Sequence, residues 1–170
     1  TRATAAKEKG LEPLARLIFD QKSAAAVDQA SQYINEEKGV KTADDALQGA
    51  RDIIAEWINE DASARDRIRK LFEKEATISS KVMSGKEQEG EKYRDYFDWT
   101  EPLAKVPSHR LLAMRRGEKE MILALNIAPD GQAAVNLLEK MFVQGSGLAS
   151  QQVAEAASDA YKRLMQPSLE

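Results

Sequence analysis

A run of basic residues between positions 105 and 119 is the part of this sequence that could contact a polyanion. Against one acidic residue, Glu118, it holds five cations: Lys105, Arg110, Arg115, Arg116 and Lys119. Arginine and lysine bind phosphate oxygens, so these side chains are candidate contacts for nucleic acid or for an acidic protein surface. A structural explanation stays open beside this one, because cations in the last turn of a helix stabilise its negative end by up to about 1 kcal/mol.

An aromatic cluster lies just before this run. Of ten aromatic residues in the chain, four fall within seven positions: Tyr93, Tyr96, Phe97 and Trp99. Rings interleaved with cations can stack the bases of single-stranded nucleic acid. Asp95, Asp98 and Glu101 are interleaved too, however, and would repel a phosphate backbone. The cluster therefore indicates core packing or a contact with another domain, anchored by Phe97 and Trp99, with base stacking as the alternative.

The single histidine, His109, could serve as a general base. It lies in the first turn of a helix that the pair Pro107-Ser108 predicts, where the helix dipole disfavours the protonated ring. A structural role is therefore favoured over a catalytic one, and no nucleophile motif or oxyanion loop accompanies the histidine. With no cysteine in the chain, disulfides and thiolate metal sites are excluded. We predict no catalytic residue, no metal site and no cofactor.

The elements that position these residues are predicted to be mainly helical. Apolar residues recur every three or four positions from Thr42 to Asn59, which is typical of a helix with one buried face. Thr42 is its predicted N-cap. By similar spacing and capping signals we predict further helices after Gly10 with Pro13 in the first turn, at 24–35, from Asp61 to about Glu75, from Ser108 to a C-cap at Gly117, at 134–142, and from a cap at Ser150 to Pro167.

Two short segments predict strands. Residues 77–83 are rich in β-branched side chains, and residues 120–128 alternate in the way that strands do. We expect a mainly α fold, a compact multi-helix domain with one small two-stranded antiparallel β pair. Residues 1–129 are predicted to form a helical scaffold domain with its basic and aromatic segment at 92–119. Residues 130–170 are predicted to form a C-terminal helical pair leading toward a further domain.

The charge is distributed unevenly along the chain. The net charge is −3, but residues 61–120 sum to +2 while residues 1–60 sum to −3 and residues 121–170 to −2.

The longest apolar run, Met121–Leu125, is far short of the roughly 20 residues that a membrane helix needs. We therefore expect no membrane association. Because the chain begins at Thr1 without a methionine and ends just after Pro167, we expect both ends to be cuts in loops of a longer protein.

One long string carries a family resemblance. The sequence KYRDYFDWTEPLAKVPSHR at 92–110, followed by Arg116-Gly117, resembles a signature stretch of the bacterial Tex family of transcription accessory proteins. Upstream, residues 1–4, 9–15 and 85–87 resemble the same family in the same order. The resemblance covers most of the chain and is weakest after Pro129. Arg115 departs from the family pattern, in which an apolar residue or phenylalanine more often precedes the arginine.

The resemblance implies a cytoplasmic, modular protein that binds nucleic acid and is similar to a eukaryotic transcription elongation factor. Such proteins join a helical N-terminal region to an RNase-H-like domain, helix-hairpin-helix modules and a C-terminal oligonucleotide-binding fold. This chain would be the helical scaffold before the RNase-H-like domain, so the resemblance carries over no active-site residue.

Three functional hypotheses follow. The first is a non-enzymatic scaffold that holds the nucleic-acid-binding modules and touches RNA or DNA through residues 105–119. The second is a protein-interaction module that docks on the transcription machinery through the cluster at 93–99. The third, a hydrolase that uses His109, has the least support.

Overall fold

The structure, a computed structural model, describes residues 1–22 and 25–169. Its α-helices are α1 (Arg2–Glu8), α2 (Glu12–Asp20), α3 (Ala25–Asp28), α4 (Ala43–Glu60), α5 (Ala62–Glu75), α6 (Ser108–Lys119), α7 (Gly131–Phe142), α8 (Leu148–Asp159) and α9 (Gln166–Leu169). Its strands are β1 (Thr77–Val82), β2 (Asp98–Pro102) and β3 (Leu123–Ala128). Short 3₁₀ turns lie at Gln29–Tyr33, Glu36–Lys38, Glu91–Tyr96 and Leu103–Lys105, and α8 continues into a π-helical turn at Ala160–Met165. The expectation of a mainly α fold is confirmed.

Packing divides the chain into two compact units. A helical unit comprises Thr1–Arg67 with Gln132–Ser168, and a sheet unit comprises Ile68–Gly131 with Leu169. The division falls within α5. It places residues 132–168 in the same unit as residues 1–67, whereas the sequence predicts a boundary between residues 129 and 130. That boundary stays a prediction about domains of the protein.

Helix α4 is the centre of the helical unit, and α1, α2 and α8 pack on it. Its first turn is fixed by a capping box, in which Thr42 accepts a hydrogen bond from the Asp45 backbone and the Asp45 side chain accepts from Thr42. The predicted N-cap is thus confirmed. Its buried face is aliphatic and includes Ala46, Ala50, Ile53, Ile54 and Ile58.

Most predicted helices are present, but their ends differ. Asp61 caps α5 by accepting from the Ala64 backbone at 2.8 Å, as predicted. The helix predicted at 24–35 is instead α3 followed by the 3₁₀ turn Gln29–Tyr33, and Ala24 lies outside the described residues.

The predicted ends of the last helix are wrong. Helix α8 begins at Leu148, with Gly147 at the N-cap. Ser150 lies buried inside the helix. Its hydroxyl does not cap the helix but donates a hydrogen bond to the Gln21 side chain at 2.9 Å. Pro167 lies within α9, after the π-helical turn.

The sheet unit is built on β1, which lies between β2 and β3 and pairs antiparallel with both. The predicted pairing of β1 with β3 is confirmed, with Ile78 opposite Ile127. The prediction of only two strands is wrong, because Asp98–Pro102 adds a third. Its exposed positions 98, 100 and 102 alternate with half-buried positions 99 and 101. Pro102, at the end of this edge strand, opposes Thr77 and fits there because an edge position tolerates a missing N–H.

Candidate nucleic-acid interface

Helix α6 presents an exposed face that carries most of the predicted cations. His109, Leu112, Arg115, Arg116 and Lys119 are all exposed, and their spacing of three and four places them on one side of the helix. Although leucine is apolar, Leu112 is 66% exposed. The face is therefore cationic along its C-terminal half.

The opposite face of α6 is held against the sheet. Met114 and Gly117 are buried, and a Cβ at position 117 would lie 2.5 Å from Leu123 Cδ1 and 3.4 Å from Tyr93 Cδ1. Glycine therefore permits a close approach here inside the helix. The prediction that Gly117 is the C-cap is wrong, since α6 continues to Lys119 and its C-cap is Glu120.

The exposed cations differ in whether they form ion pairs. Arg115 Nη1 lies 2.9 Å from Glu118 Oε1, in a pair whose side chains are both solvent-exposed. Such a pair contributes about 0–1 kcal/mol and is screened by salt. Lys105 and Lys119 are exposed, and their side chains form no ion pair within the described residues.

Arg110 is placed differently from the other cations. Its Nη1 donates to both carboxylate oxygens of Glu101, at 3.0 and 2.7 Å. Its guanidinium carbon lies 5.0 Å from the centroid of the Trp99 ring, and the Trp99 indole N–H donates to Glu101 at 3.1 Å. These contacts join α6 to β2. The Arg110 guanidinium is thus already bound within the sheet unit. It is less available to a phosphate than the exposed cations are.

The pKa of the Glu101 carboxyl reflects this arrangement. Burial by itself would raise the pKa, but the hydrogen bonds from Arg110 and Trp99 and the Arg110 charge outweigh it, so the pKa lies below its ordinary value. Glu101 is therefore ionised at neutral pH and holds Arg110 as a charged partner.

The aromatic cluster faces largely inward. Tyr93 is buried beside Ile122 and Leu123, and the half-buried Tyr96 and Phe97 pack against the same cluster. Trp99 is half-buried under Arg110. This placement does not favour docking on a partner through residues 93–99, because the rings are largely occupied by contacts within the unit.

Tyr93 and Glu120 form a second polar pair. The Tyr93 hydroxyl donates to Glu120 Oε2 at 2.8 Å, and Lys92 Nζ lies 3.3 Å from the same oxygen. Burial, followed by the hydrogen bond to Glu120, raises the pKa of Tyr93. The hydrogen bond from Tyr93 holds the pKa of Glu120 below its ordinary value, with Lys92 and Arg116 contributing.

His109 is exposed, and its ring has no hydrogen-bond or ion-pair partner in the part of the chain that the structure describes. Within those same residues, no three His, Cys, Asp or Glu side chains come together in a way that could hold a metal ion. None of the helices in the described ranges is long and apolar enough to cross a membrane.

Sequence reasoning missed the role of Glu101, which was treated only as a repulsive charge. A signal was present, because alternate residues of a strand share one face and Trp99 and Glu101 are two positions apart. Recognising β2 as a strand would have placed the indole and the carboxylate side by side.

Comparisons with known proteins match this chain to a family model and to several longer relatives. A family model described as "Tex central region-like" matches residues 21–165. The chain is 43% identical to "Uncharacterized protein YdcI" of Bacillus subtilis over all of the chain and 24% of that protein. It is 42% identical to "Transcriptional accessory protein Tex" of Neisseria gonorrhoeae over 76% of the chain and 17% of that protein. With human "S1 RNA-binding domain-containing protein 1" it shares 28% identity over 75% of the chain and 13% of that protein.

The chain thus spans a quarter or less of the length of these relatives. The family model nevertheless covers most of its residues, and the stretch that carried the resemblance, including α6, lies inside the matched range. On this evidence the chain belongs to the Tex family and corresponds to its central region.

Proposed function

We propose that this chain is a non-enzymatic helical scaffold segment of a Tex-like, cytoplasmic transcription accessory factor that binds nucleic acid. Most of the binding to RNA or DNA would come from modules outside the chain. One relative is named a transcriptional accessory protein and another is named for an RNA-binding domain, which supports the proposal at the level of the family.

We further propose that the exposed face of α6 adds a contact of its own. The observation that carries this step is the line of Arg115, Arg116 and Lys119 along one exposed side of a helix whose other side is buried. Three cations held on a rigid helix can follow a phosphate backbone without ordering a loop. The weak pairing of Arg115 with Glu118 does not prevent this, because an exposed ion pair exchanges readily for a phosphate contact.

The contact would be independent of base sequence. The ends of lysine and arginine side chains on an exposed face reach phosphates, which are the same for every nucleotide. The aromatic side chains that could read bases are packed against the sheet. We therefore propose a positioning contact that orients nucleic acid relative to the other modules.

The test is a binding measurement with a charge-neutral variant of this face. The variant Arg115→Gln, Arg116→Gln, Lys119→Gln keeps good helix formers at each position. We expect its affinity for a 20-nucleotide oligouridylate at about 50 mM salt to fall about tenfold, through the loss of phosphate contacts.

A matched control separates the site from the overall charge. Lys7→Gln, Lys41→Gln, Lys162→Gln changes the net charge equally at exposed positions of the helical unit, and it should bind within about twofold of the wild type. Equal losses in the two variants, or no binding by the wild-type chain, would refute a contact at α6.

A further inference from the structure

Three aromatic side chains of the helical unit form a half-exposed column. Phe19 near the end of α2 stacks on Trp57 of α4, with ring centroids 5.7 Å apart and planes at 25°. Phe142, the last residue of α7, follows at 6.1 Å from Phe19. The periodicity of α4 and α7 predicts burial for Trp57 and Phe142, yet both remain half-exposed. Part of each of these apolar faces is thus left open to solvent.

Gln21 joins the backbone of Phe19 to that of Phe142. Its amide nitrogen donates to the carbonyl oxygens of Phe19 and Phe142, at 3.2 and 2.8 Å. Its amide oxygen accepts from the Gln144 backbone at 2.8 Å and from the Ser150 hydroxyl at 2.9 Å. Gln21 adopts the left-handed conformation at φ +56°, which costs free energy for a residue other than glycine. One strained residue thus ties together two of the three chain segments that carry the rings, those of Phe19 and Phe142.

Two open cavities flank the column. One, of about 360 Å³, is lined by Arg16, Phe19, Asp20 and Trp57. The other, of 270 Å³, is lined by Phe19, Asp20, Lys22, Met141, Phe142 and Gln144. Phe19 and Asp20 belong to both, so the two cavities adjoin along one ring and one carboxylate. Each is large enough for a single long side chain.

The chemistry of these cavities favours a cation. The Arg16 guanidinium already lies 5.5 Å from the centroid of the Trp57 ring, which shows that this ring face accepts a cation within the usual range. Asp20 is exposed, and its carboxylate makes no hydrogen bond or ion pair among the described residues. As the last residue of α2, it lies at the negative end of the helix dipole, where a carboxylate is unfavourable until a cation approaches.

A nucleic acid fits this surface less well. Asp20 lines both cavities and is the one carboxylate among the described residues that line them. A phosphate stacked on Phe19 would therefore lie close to the Asp20 carboxylate in either cavity, with Arg16 lining the first cavity and Lys22 the second. A basic side chain meets aromatic faces and a carboxylate together, which is the environment that arginine prefers.

We propose that Phe19, Asp20, Trp57 and Phe142 form a docking surface for an arginine side chain of a protein partner. Arg16 occupies the Trp57 face in the absence of the partner and gives way to the incoming guanidinium. Gln21 is a positioning residue that sets the distance between Phe19 and Phe142. This inference is independent of any contact between α6 and nucleic acid.

The test uses the two tryptophan indole N–H signals of the ¹⁵N-labelled chain, assigned with Trp57→Phe and Trp99→Phe. The probe is the peptide acetyl-Gly-Arg-Gly-amide, and its control is the same peptide with citrulline, which keeps the shape and removes the charge. We expect the arginine peptide to shift the Trp57 signal at millimolar concentration and to leave the Trp99 signal in place. The citrulline peptide should bind at least about fivefold more weakly.

Variants then test the partners of the guanidinium. Asp20→Asn should weaken binding of the arginine peptide about three- to tenfold, while the matched exposed change Asp95→Asn in the sheet unit should have no effect. Arg16→Ala removes the internal competitor and should strengthen binding.

Several results would overturn the proposal. They are an unmoved Trp57 signal, equal binding of the citrulline peptide, unchanged affinity in Asp20→Asn, or no gain in Arg16→Ala. A shift of the Trp57 signal by oligouridylate in place of the arginine peptide would assign the column to base stacking instead.

Discussion

At the scale of single residues, Arg110 and Lys119 show how unlike two cations of one basic run can be. Arg110 is fixed by Glu101 and Trp99, whereas Lys119 is exposed and forms no ion pair within the described ranges. The first can stabilise the junction of α6 and β2, and the second can meet an external phosphate. Residue type and spacing cannot separate these roles, because the partner of Arg110 lies on a strand that the sequence does not predict.

The Arg110 pair should make stability depend on pH. Because the folded pKa of Glu101 is lowered from the ordinary value of 4.5, its stabilising contribution is complete above that pH and is lost as the pH falls through the folded pKa. We expect Glu101→Gln to lower the free energy of unfolding at pH 7 and to have a smaller effect at pH 3, measured by urea denaturation.

The matched control is Glu87→Gln, which changes an exposed glutamate of the same unit that has no partner among the described residues. It should show no such dependence on pH. An equal effect of Glu101→Gln at both pH values would mean that the carboxylate charge does not stabilise the fold.

At the scale of secondary-structure elements, Gln21 links the end of α2 to α7, to α8 and to the turn between them through three side-chain hydrogen bonds. We expect Gln21→Ala to lower the free energy of unfolding by about 2 kcal/mol, since at least two of these bonds are partly buried and each contributes about 1 kcal/mol. Gln21→Gly should lose the same bonds but relieve the left-handed backbone, so it should be the less damaging change. A loss below about 0.5 kcal/mol in Gln21→Ala would contradict this role.

The elements that the sequence predicts well are those with a full local signal. Helix α4 has both a periodic apolar face and a capping box, and each feature is readable within a few residues. Ser150 and Gly117 carry local signals for helix ends, yet each serves a distant contact instead, with Gln21 and with Leu123 respectively. Strand β2 is not predicted because its half-buried positions, Trp99 and Glu101, combine an aromatic with an acidic residue and share a buried face only when β1 pairs with the strand.

At the scale of the whole molecule, the chain spans a quarter or less of the length of its relatives. Two compact units, one helical and one with a sheet, make up its described residues. We propose that each presents one surface for an external partner: the α6 face in the sheet unit and the aromatic column in the helical unit. The family resemblance was readable from sequence, whereas both surfaces needed the fold, because they depend on which side chains remain exposed.

The most direct test of the nucleic-acid contact is the salt dependence of binding. For single strands, the slope of log affinity against log salt changes by about 0.7 for each phosphate contact. If Arg115, Arg116 and Lys119 each neutralise a phosphate, the glutamine triple variant should bind oligouridylate with a slope about 2 units shallower than the wild type. An unchanged slope in that variant would contradict a contact between the α6 face and nucleic acid.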